Sequence, residues 1–227
     1  LRQNISPEDI SRHTGIDPWF TRSFRRIVRL EDRLRNETMS CHLMRAAKRM
    51  GFPDHVIALL TNRTALEIRA IRKEFGLLPV YKMVDTCASE FEAQTPYFYS
   101  TYEEENEADP IQGPKAIVVG SGPIRIGQGI EFDYCSVHAA WALKNEGLAS
   151  IIINSNPETV STDFDTSDRL YFEPLDEESI MDVIENESTI DEYGDTSLPP
   201  TIVQFGGQTA INLSQKLDEA GFPILGS

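Results

Sequence analysis

The sequence has no long apolar run, few cysteines and no excess of basic residues, and each of these absences excludes a class of protein. No segment approaches the roughly 18 consecutive apolar residues of a membrane-spanning helix, and the first residues lack the basic-then-apolar order of a secretory signal. The formal net charge of −15 disfavours nucleic acid or an anionic membrane as a partner. We therefore expect a cytoplasmic protein that binds neither nucleic acid nor membrane.

The three cysteines and four histidines form no pattern typical of a catalytic or metal site. Cys41, Cys87 and Cys135 lie far apart and have no histidine or cysteine at the short spacings that metal sites use. We predict buried free thiols in a reducing compartment. His138 lies close to Trp141 in a predicted amphipathic helix, so we predict a packed side chain and no catalytic base. No metal site and no catalytic residue are predicted.

Charge and turn residues divide the 227-residue chain into two predicted domains. Arginines are concentrated between Arg22 and Arg72, whereas acidic residues dominate from Glu103 onward, beginning with the string YEEENEADP and followed by IQGP. Such a change of composition at turn-forming residues is typical of a linker. We predict a first domain over residues 1–112 and a second over residues 113–227.

The first domain shows the pattern of four or five short helices and no strands. Ser6 and Asp17 each precede a proline at a typical helix start, and Thr64 with Glu67 forms a capping box. Apolar residues recur between arginines at helical spacing, and we expect this stripe to face the core. The stripe consists of Phe20, Phe24, Ile27 and Leu34. We interpret the arginines as a solvated helix face, with an anion site as the alternative.

The second domain alternates between strand and helix patterns. Three short apolar runs, KAIVVG, ASIIINS and TIVQFG, predict strands, and helical patterns cover 132–145, 177–186 and 209–219. This alternation predicts a parallel sheet covered on both faces. The fold class is therefore α + α/β, a small all-helical domain followed by a parallel-sheet domain. The polar string DEYGDTSLPP predicts a long surface loop before the third strand.

All three predicted strands end in loops of glycine and polar residues: GSGPIRIGQG, NSNPETVSTD and GGQT. In a parallel sheet such loops converge on one edge. The first loop is close to a dinucleotide fingerprint, but Arg125 stands where the third glycine is needed, and the second strand ends at Asn154 without the acidic residue that holds a ribose. A Walker lysine is also missing. Two interpretations stay open, a loop that contacts a polar ligand or conduit, and a tight turn without a ligand.

Arg125, Glu131 and Glu158 are charged residues of the first two loops. One interpretation is an ion pair across the first loop, with Glu158 joining it. The other is a charged lining that guides a small polar species, since a guanidinium offers fixed donors to a carboxylate-like group.

Three long strings carry a resemblance to a known family. GPIRIGQGIEFDYCSVHAAWAL, NPETVSTDFDTSDRLYFEPL and QFGGQTAINL closely resemble the start of the second, carbamoyl-phosphate-forming half of the carbamoyl phosphate synthetase large chain. GIDPWF and LPVYKMVDTCASEFEAQTPYFYSTYEEE resemble its helical oligomerisation domain. The match is collinear and covers essentially the whole chain. It implies an oligomerisation domain and a Rossmann-like pre-ATP-grasp domain, within a piece of a longer polypeptide.

The resemblance also implies a parent reaction. The complete enzyme of that family is an ATP-dependent carbon–nitrogen ligase that makes carbamoyl phosphate from bicarbonate, two ATP and glutamine-derived ammonia, for arginine or pyrimidine biosynthesis. ATP and Mg²⁺ or Mn²⁺, with K⁺, are expected for that enzyme. No cofactor is expected in this part, because the ATP-grasp domain would follow Ser227, and the isolated chain is predicted to be inactive. The implied partners are the rest of the large chain, a glutaminase chain or domain, and further copies through the helical domain.

The family passes carbamate between its two ATP sites through an internal tunnel, and the loop after the first strand lies on that route. By motif match, the resemblance implies a tunnel role for Arg125, Gly129, Glu131 and Glu158. Carbamate decomposes quickly in water, so its conduit should exclude bulk solvent, and glycine leaves space that a side chain would fill. Two alternatives to a synthetase part stay open for the function of the chain. One is a nucleotide-dependent oxidoreductase domain, and the other is a noncatalytic interaction module.

Overall fold

The computed structural model describes residues 1–91, 95–124, 129–190 and 193–226. The chain divides into two compact units, Leu1–Leu78 and Pro79–Ser227, which we call the helical unit and the sheet unit. None of the helices in the described ranges is both long enough and apolar enough to cross a bilayer.

The helical unit contains five helices, and four of them, all but the fourth, start at a side-chain cap. They are α1 (Pro7–Thr14), α2 (Pro18–Asn36), α3 (Cys41–Arg49), α4 (Asp54–Thr61) and α5 (Ala65–Glu74). The Ser6 hydroxyl accepts a hydrogen bond from the Asp9 N–H at 3.0 Å, and Thr64 and Glu67 form the reciprocal bonds of a capping box. Because each cap satisfies backbone donors that the first turn leaves free, α1, α2 and α5 begin where the sequence predicts.

A buried ion cluster connects three of these helices. The Asp54 carboxylate, at the start of α4, lies 3.0 Å from Lys48 Nζ of α3 and 3.2 Å from Arg72 Nε of α5. All three side chains are buried beside an apolar core that includes Leu43 and Ile68. Each carboxylate oxygen has its own cationic partner, which offsets the cost of removing these charges from water.

Only the C-terminal half of α2 places its apolar stripe in the core. Leu34 is buried, whereas Phe20 and Phe24 are 51% and 53% exposed. The prediction that the whole stripe faces the core is therefore wrong. The physical reason is that α1, which packs along the first half of α2, contributes only Pro7 to the buried set.

The sheet unit is a mostly parallel sheet with helices between its strands. Its strands are β1 (Val80–Met83), β2 (Tyr97–Thr101), β3 (Lys115–Val119), β4 (Ala149–Asn154), β5 (Arg169–Phe172), β6 (Thr189–Ile190), β7 (Thr196–Ser197), β8 (Thr201–Ile202) and β9 (Ile224–Leu225), and its helices are α6 (Glu131–Asn145), α7 (Glu177–Asn186) and α8 (Gly207–Glu219). The main sheet has the order β1-β2-β5-β4-β3-β8-β9, and β6 and β7 form a separate antiparallel pair. The three predicted strands and three predicted helices of this part are confirmed. The fold class, helices followed by a Rossmann-like sheet, is confirmed as well.

Two strands lie in the segment that was predicted to be helical. β1 and β2 pair antiparallel, and β2 joins the sheet beside β5. Tyr81 and Phe98 pack on Tyr171 with ring centroids 4.9 and 5.9 Å away. The prediction of no strands before residue 112 was wrong because this two-stranded ribbon gains its burial from a distant strand, which local periodicity does not register.

A fully buried carboxylate holds the segment before β3 against the sheet. Glu187, just after α7, accepts hydrogen bonds from Arg169 Nη1 and Tyr171 Oη, each at 2.6 Å, and from the Ile111 N–H at 3.0 Å. Lys115 Nζ lies 3.3 Å from Glu187 Oε2, the oxygen that also accepts the Ile111 N–H, and donates a second hydrogen bond to the Ile111 carbonyl. One buried anion therefore connects β3, β5, α7 and the preceding segment.

The cysteines are less buried than predicted. Cys41 and Cys87 are half-buried, and Cys135 is exposed. In α6, Val137 and Ala140 face the sheet core, so Cys135 lies on the outer surface of the helix. The prediction of buried thiols is therefore wrong for Cys135.

Candidate functional site

Three neighbouring parallel strands bring their terminal loops to one edge of the sheet. β3 lies between β4 and β8 and pairs in parallel with both. The loops that follow these strands are the three that the sequence marked as rich in glycine and polar residues. Their convergence at the carboxyl edge follows from the shared strand direction.

The backbone after β3 runs against the side chain of Asn154. The Gly120 N–H donates to the Ile153 carbonyl at 2.8 Å, which extends the pairing of β3 with β4 by one residue. A Cβ placed on Gly120 would lie 2.7 Å from Asn154 Cγ. Gly122 has a φ of +70°, a conformation that L side chains rarely adopt. Glycine is thus required here for a close approach and for a left-handed turn.

Asn154 is fully buried and uses both ends of its amide. Its Oδ1 accepts hydrogen bonds from the Gly122 N–H at 3.0 Å and the Asn156 N–H at 3.4 Å, and its Nδ2 donates to Ser161 Oγ at 3.0 Å. Backbone N–H groups of a glycine loop are the donors that bind phosphate in nucleotide sites. In this loop the Gly122 donor is already satisfied by a neighbouring strand.

The same hydrogen-bond chain reaches the start of α6. Asp133 is buried, and its Oδ2 accepts a hydrogen bond from the Ser161 N–H at 3.1 Å. Its Oδ1 has no hydrogen-bond partner among the residues that the structure describes. A negative side chain in the first turn of a helix is favourable because it interacts with free N–H groups. Asp133 therefore joins α6 to the loop after β4.

The third loop packs against the first through backbone contact. A Cβ on Gly206 would lie 2.6 Å from the Val119 carbonyl oxygen and 2.6 Å from Ala210 Cβ. Gly207 has a φ of +62° and approaches the Phe132 ring of α6, with a Cβ position 3.1 Å from the ring. These glycines let β8, β3 and α6 meet without intervening side chains.

The predicted site residues lie at this edge where they are described. Arg125 is outside the described residues. Glu131 is the first residue of α6, and Glu158 follows Asn156, whose Oδ1 accepts the Glu158 N–H at 3.1 Å. Both glutamate side chains are exposed, and no described cation pairs with either. The proposed ion pair with Arg125 therefore stays a prediction.

Gly129 is placed so that a side chain there would meet Glu131. The nearest atoms to a Cβ built on Gly129 all belong to the Glu131 carboxylate group, which overlaps that position. Because this group is the flexible end of an exposed side chain, it has room to rotate away. Gly129 thus keeps space beside a carboxylate at the edge of the loop.

A buried acid also follows β5 at the same edge. Glu173 accepts hydrogen bonds from the Ser100 N–H and, at 2.9 Å, from Ser100 Oγ. Burial raises the pKa of the Glu173 carboxyl to about 7, and the negative charges of Asp176 and Asp182 add to this effect. Sequence reasoning missed the hydrogen-bond partners of Glu173, Asp133 and Ser161, because these partners are distant in the chain.

His138 lies on the exposed surface of α6 among other aromatic side chains. His138 contacts Trp141 as predicted, with ring centroids 5.3 Å apart, but on the exposed side of α6 and next to Tyr134. No cluster of three or more histidine, cysteine or acidic residues suited to a metal ion occurs among the described residues. The edge therefore offers carboxylates, amides and glycine backbone.

The parallel sheet and its three loops define a Rossmann-like domain that follows a helical unit. Residues 112–227 match the carbamoyl phosphate synthase preATP-grasp domain, and residues 1–76 match the oligomerisation domain of the carbamoyl-phosphate synthetase large chain. The chain belongs to the carbamoyl phosphate synthase large-chain family.

Curated relatives carry the same family name. The chain is 60% identical over 227 residues to the carbamoyl phosphate synthase large chain of Thermomicrobium roseum, 51% identical over 227 residues to that of a Thermoanaerobacter species, and 49% identical over 234 residues to that of Archaeoglobus fulgidus. Each match covers 100% of this chain but only 20–21% of the relative. The chain thus spans about a fifth of the length of these relatives.

The predicted domain boundary at residue 112 stays a prediction. The family models leave 77–111 unmatched, and the compact units divide after Leu78. The intervening segment contains β1 and β2, which belong to the main sheet.

Proposed function

We propose that this chain is the part of a glutamine-dependent carbamoyl phosphate synthase that connects the two halves of the large chain and lines the passage of carbamate. The parent enzyme would use bicarbonate, two ATP and glutamine-derived ammonia, and this part would begin its carbamoyl-phosphate-forming half. Family membership and the coverage of about a fifth of each relative support this assignment. We also propose that the isolated chain is inactive, because the ATP-grasp sites of the parent enzyme would lie in other parts of that enzyme.

The observation that carries the conduit role is the use of the loop donors. The Gly122 N–H binds the buried Asn154 amide, while the carboxylates of Glu131 and Glu158 are exposed at the same edge. Such an edge suits an anion in transit better than a tightly held phosphate, because the Gly122 N–H is taken and the two described glutamates would weaken the binding of any anion, carbamate included. Arg125 is proposed to add a cation to this lining.

Gly129→Phe in the complete enzyme tests the conduit. The atoms nearest to a Cβ at this position all belong to the flexible Glu131 carboxylate, so we expect the variant to fold. We expect overall synthesis from glutamine to fall at least tenfold while the ATP hydrolysis of each half-reaction stays normal. Glu146→Phe, which places the same side chain at the exposed opposite end of α6, is the control. Intact synthesis in Gly129→Phe with normal half-reactions would contradict the proposal.

Cofactors are proposed to bind elsewhere in the parent enzyme. ATP, Mg²⁺ or Mn²⁺, and K⁺ would act at the ATP-grasp domains, and the glutaminase partner would supply ammonia. Calorimetric titration of this chain with ATP and with NAD should therefore detect no tight binding of either. Micromolar NAD binding would favour the oxidoreductase alternative.

The exposed apolar side chains in the first half of α2 suit a binding surface. Its partner would be a further copy of the chain, or another protein if the chain is an interaction module. Trp19 is 64% exposed, its ring lies 4.9 Å from that of Phe20, and four arginines line the same surface cavity. Phe24 is exposed one turn after Phe20 in the same helix. We propose self-association through this unit in the parent enzyme. Light scattering over a concentration series tests it, with Phe24→Glu expected to reduce any increase in mass.

A further inference from the structure

We infer that Asn154 is a positioning residue for the proposed conduit, and that one buried amide sets the places of both exposed carboxylates at the sheet edge. This inference rests on the proposed function. Asn154 does not itself reach the surface, so it would act through the loops that it binds.

Asn154 joins the loop after β3 to the loop after β4 directly. Its Oδ1 binds the Gly122 N–H of the loop after β3 and the Asn156 N–H of the loop after β4. Asn156 in turn accepts the Glu158 N–H at 3.1 Å. Three hydrogen bonds in sequence therefore connect the Glu158 backbone with Gly122 in the loop after β3.

The other end of the Asn154 amide is connected to α6 through Ser161. Asn154 Nδ2 donates to Ser161 Oγ, and the Ser161 N–H donates to Asp133 Oδ2. Asp133 lies in the first turn of α6, which begins at Glu131. Loss of the Nδ2 bond should loosen Ser161 and, with it, the helix start that carries Glu131.

Both polar ends of the Asn154 side chain are needed, because one end accepts two N–H groups and the other bonds to the Ser161 hydroxyl. Leucine has a similar shape but leaves the Gly122 and Asn156 donors without an acceptor in a buried site. Aspartate retains the acceptors, and the Ser161 hydroxyl is free to turn and donate to it. Asn154→Leu should therefore displace the loops, and Asn154→Asp should partly preserve them.

The experiment compares these variants in the complete enzyme with its glutaminase partner. For Asn154→Leu we expect at least a tenfold loss of carbamoyl phosphate synthesis, half-reactions within about twofold of wild type, and more ATP hydrolysed per product. Asn154→Asp should restore at least part of the ATP-to-product coupling. Loss of coupling while both half-reactions stay near wild type is a readout that general destabilisation would not produce, because unfolding lowers the half-reactions as well.

Two further variants keep the result interpretable. Asn186→Leu removes a half-buried amide whose hydrogen bonds to Ala108 and Tyr171 involve none of the three loops, so it should lower stability without changing coupling. If Asn154→Leu does not fold, Ser161→Ala decides, because it removes only the Nδ2 partner and should still reduce coupling.

The outcomes separate this inference from the proposed function. If Gly129→Phe blocks synthesis while Asn154→Leu, or Ser161→Ala in its place, leaves coupling unchanged, the positioning role is wrong and the conduit stands. Equal loss of coupling in Asn186→Leu would also overturn it, since the effect would then follow stability alone. If Gly129→Phe leaves synthesis intact, the conduit itself is wrong.

Discussion

Glu173 gives the sheet unit a pH dependence that its sequence does not suggest. The carboxyl is buried after β5, where its only described hydrogen-bond donors are the backbone and side chain of Ser100. Burial is the largest cause of its raised pKa, and Asp176 and Asp182 contribute in the same direction. The folded state therefore retains the Glu173 proton up to about pH 7, whereas the ordinary pKa of a glutamate carboxyl is 4.5.

The sign of the effect follows from this difference. Between pH 4.5 and 7 the unfolded chain releases the Glu173 proton while the folded chain still holds it, so stability decreases as pH rises through this window. The full pKa difference corresponds to about 3 kcal/mol of unfolding free energy. This contribution is complete below the window and lost above it.

Glu173→Gln removes the ionisation and keeps the contacts. A glutamine oxygen accepts the Ser100 N–H, and its amide donates to the Ser100 hydroxyl. We expect the variant to be similar to wild type at pH 5 and up to about 3 kcal/mol more stable at pH 8.

Urea denaturation at each pH measures this difference. The chain has two tryptophans, so a Trp19→Phe background leaves Trp141 fluorescence as a signal from the sheet unit. Comparing the two proteins at the same pH removes the titration of all other groups. Equal pH dependence with and without Glu173, or a variant less stable than wild type at pH 8, would refute the reasoning.

Two other substitutions test the packing of the sheet unit. Glu187→Gln leaves the buried cations Lys115 and Arg169 without their anion, and should cost about 3–5 kcal/mol of unfolding free energy, measured by urea denaturation. Gly206→Ala forces a methyl group against the Val119 carbonyl and should cost about 1–3 kcal/mol by the same measurement. A loss below 1 kcal/mol in both would contradict the packing described for these sites.

Local signals were sufficient for the helices and the central strands. Thr64 and Glu67 are three residues apart, and the helix they cap begins beside them. The strand at 149–154 has an apolar centre of three isoleucines in the sequence and is a buried central strand in the fold. Both features depend on neighbours in the chain, which a sequence displays directly.

The missed features all depend on distant partners. β2 is stabilised by β5, some 70 residues further along, and the exposure of Phe24 depends on how little of α1 is buried. The hydrogen bonds of Asn154 likewise join residues 122, 156 and 161. Periodicity and capping rules carry no information about such pairs, so neither the extra strands nor the Asn154 network was predictable from the residues alone.

The glycine loop after β3 illustrates how a shared backbone turn serves different ligands. Gly120 and Gly122 make the close approach and the left-handed turn that a nucleotide loop also requires. What differs is the residue at the end of the neighbouring strand. A dinucleotide site needs an acidic side chain there for the ribose, whereas Asn154 turns inward and binds the loop itself. The glycines therefore specify the turn, and β4 determines that its donor is unavailable to a phosphate.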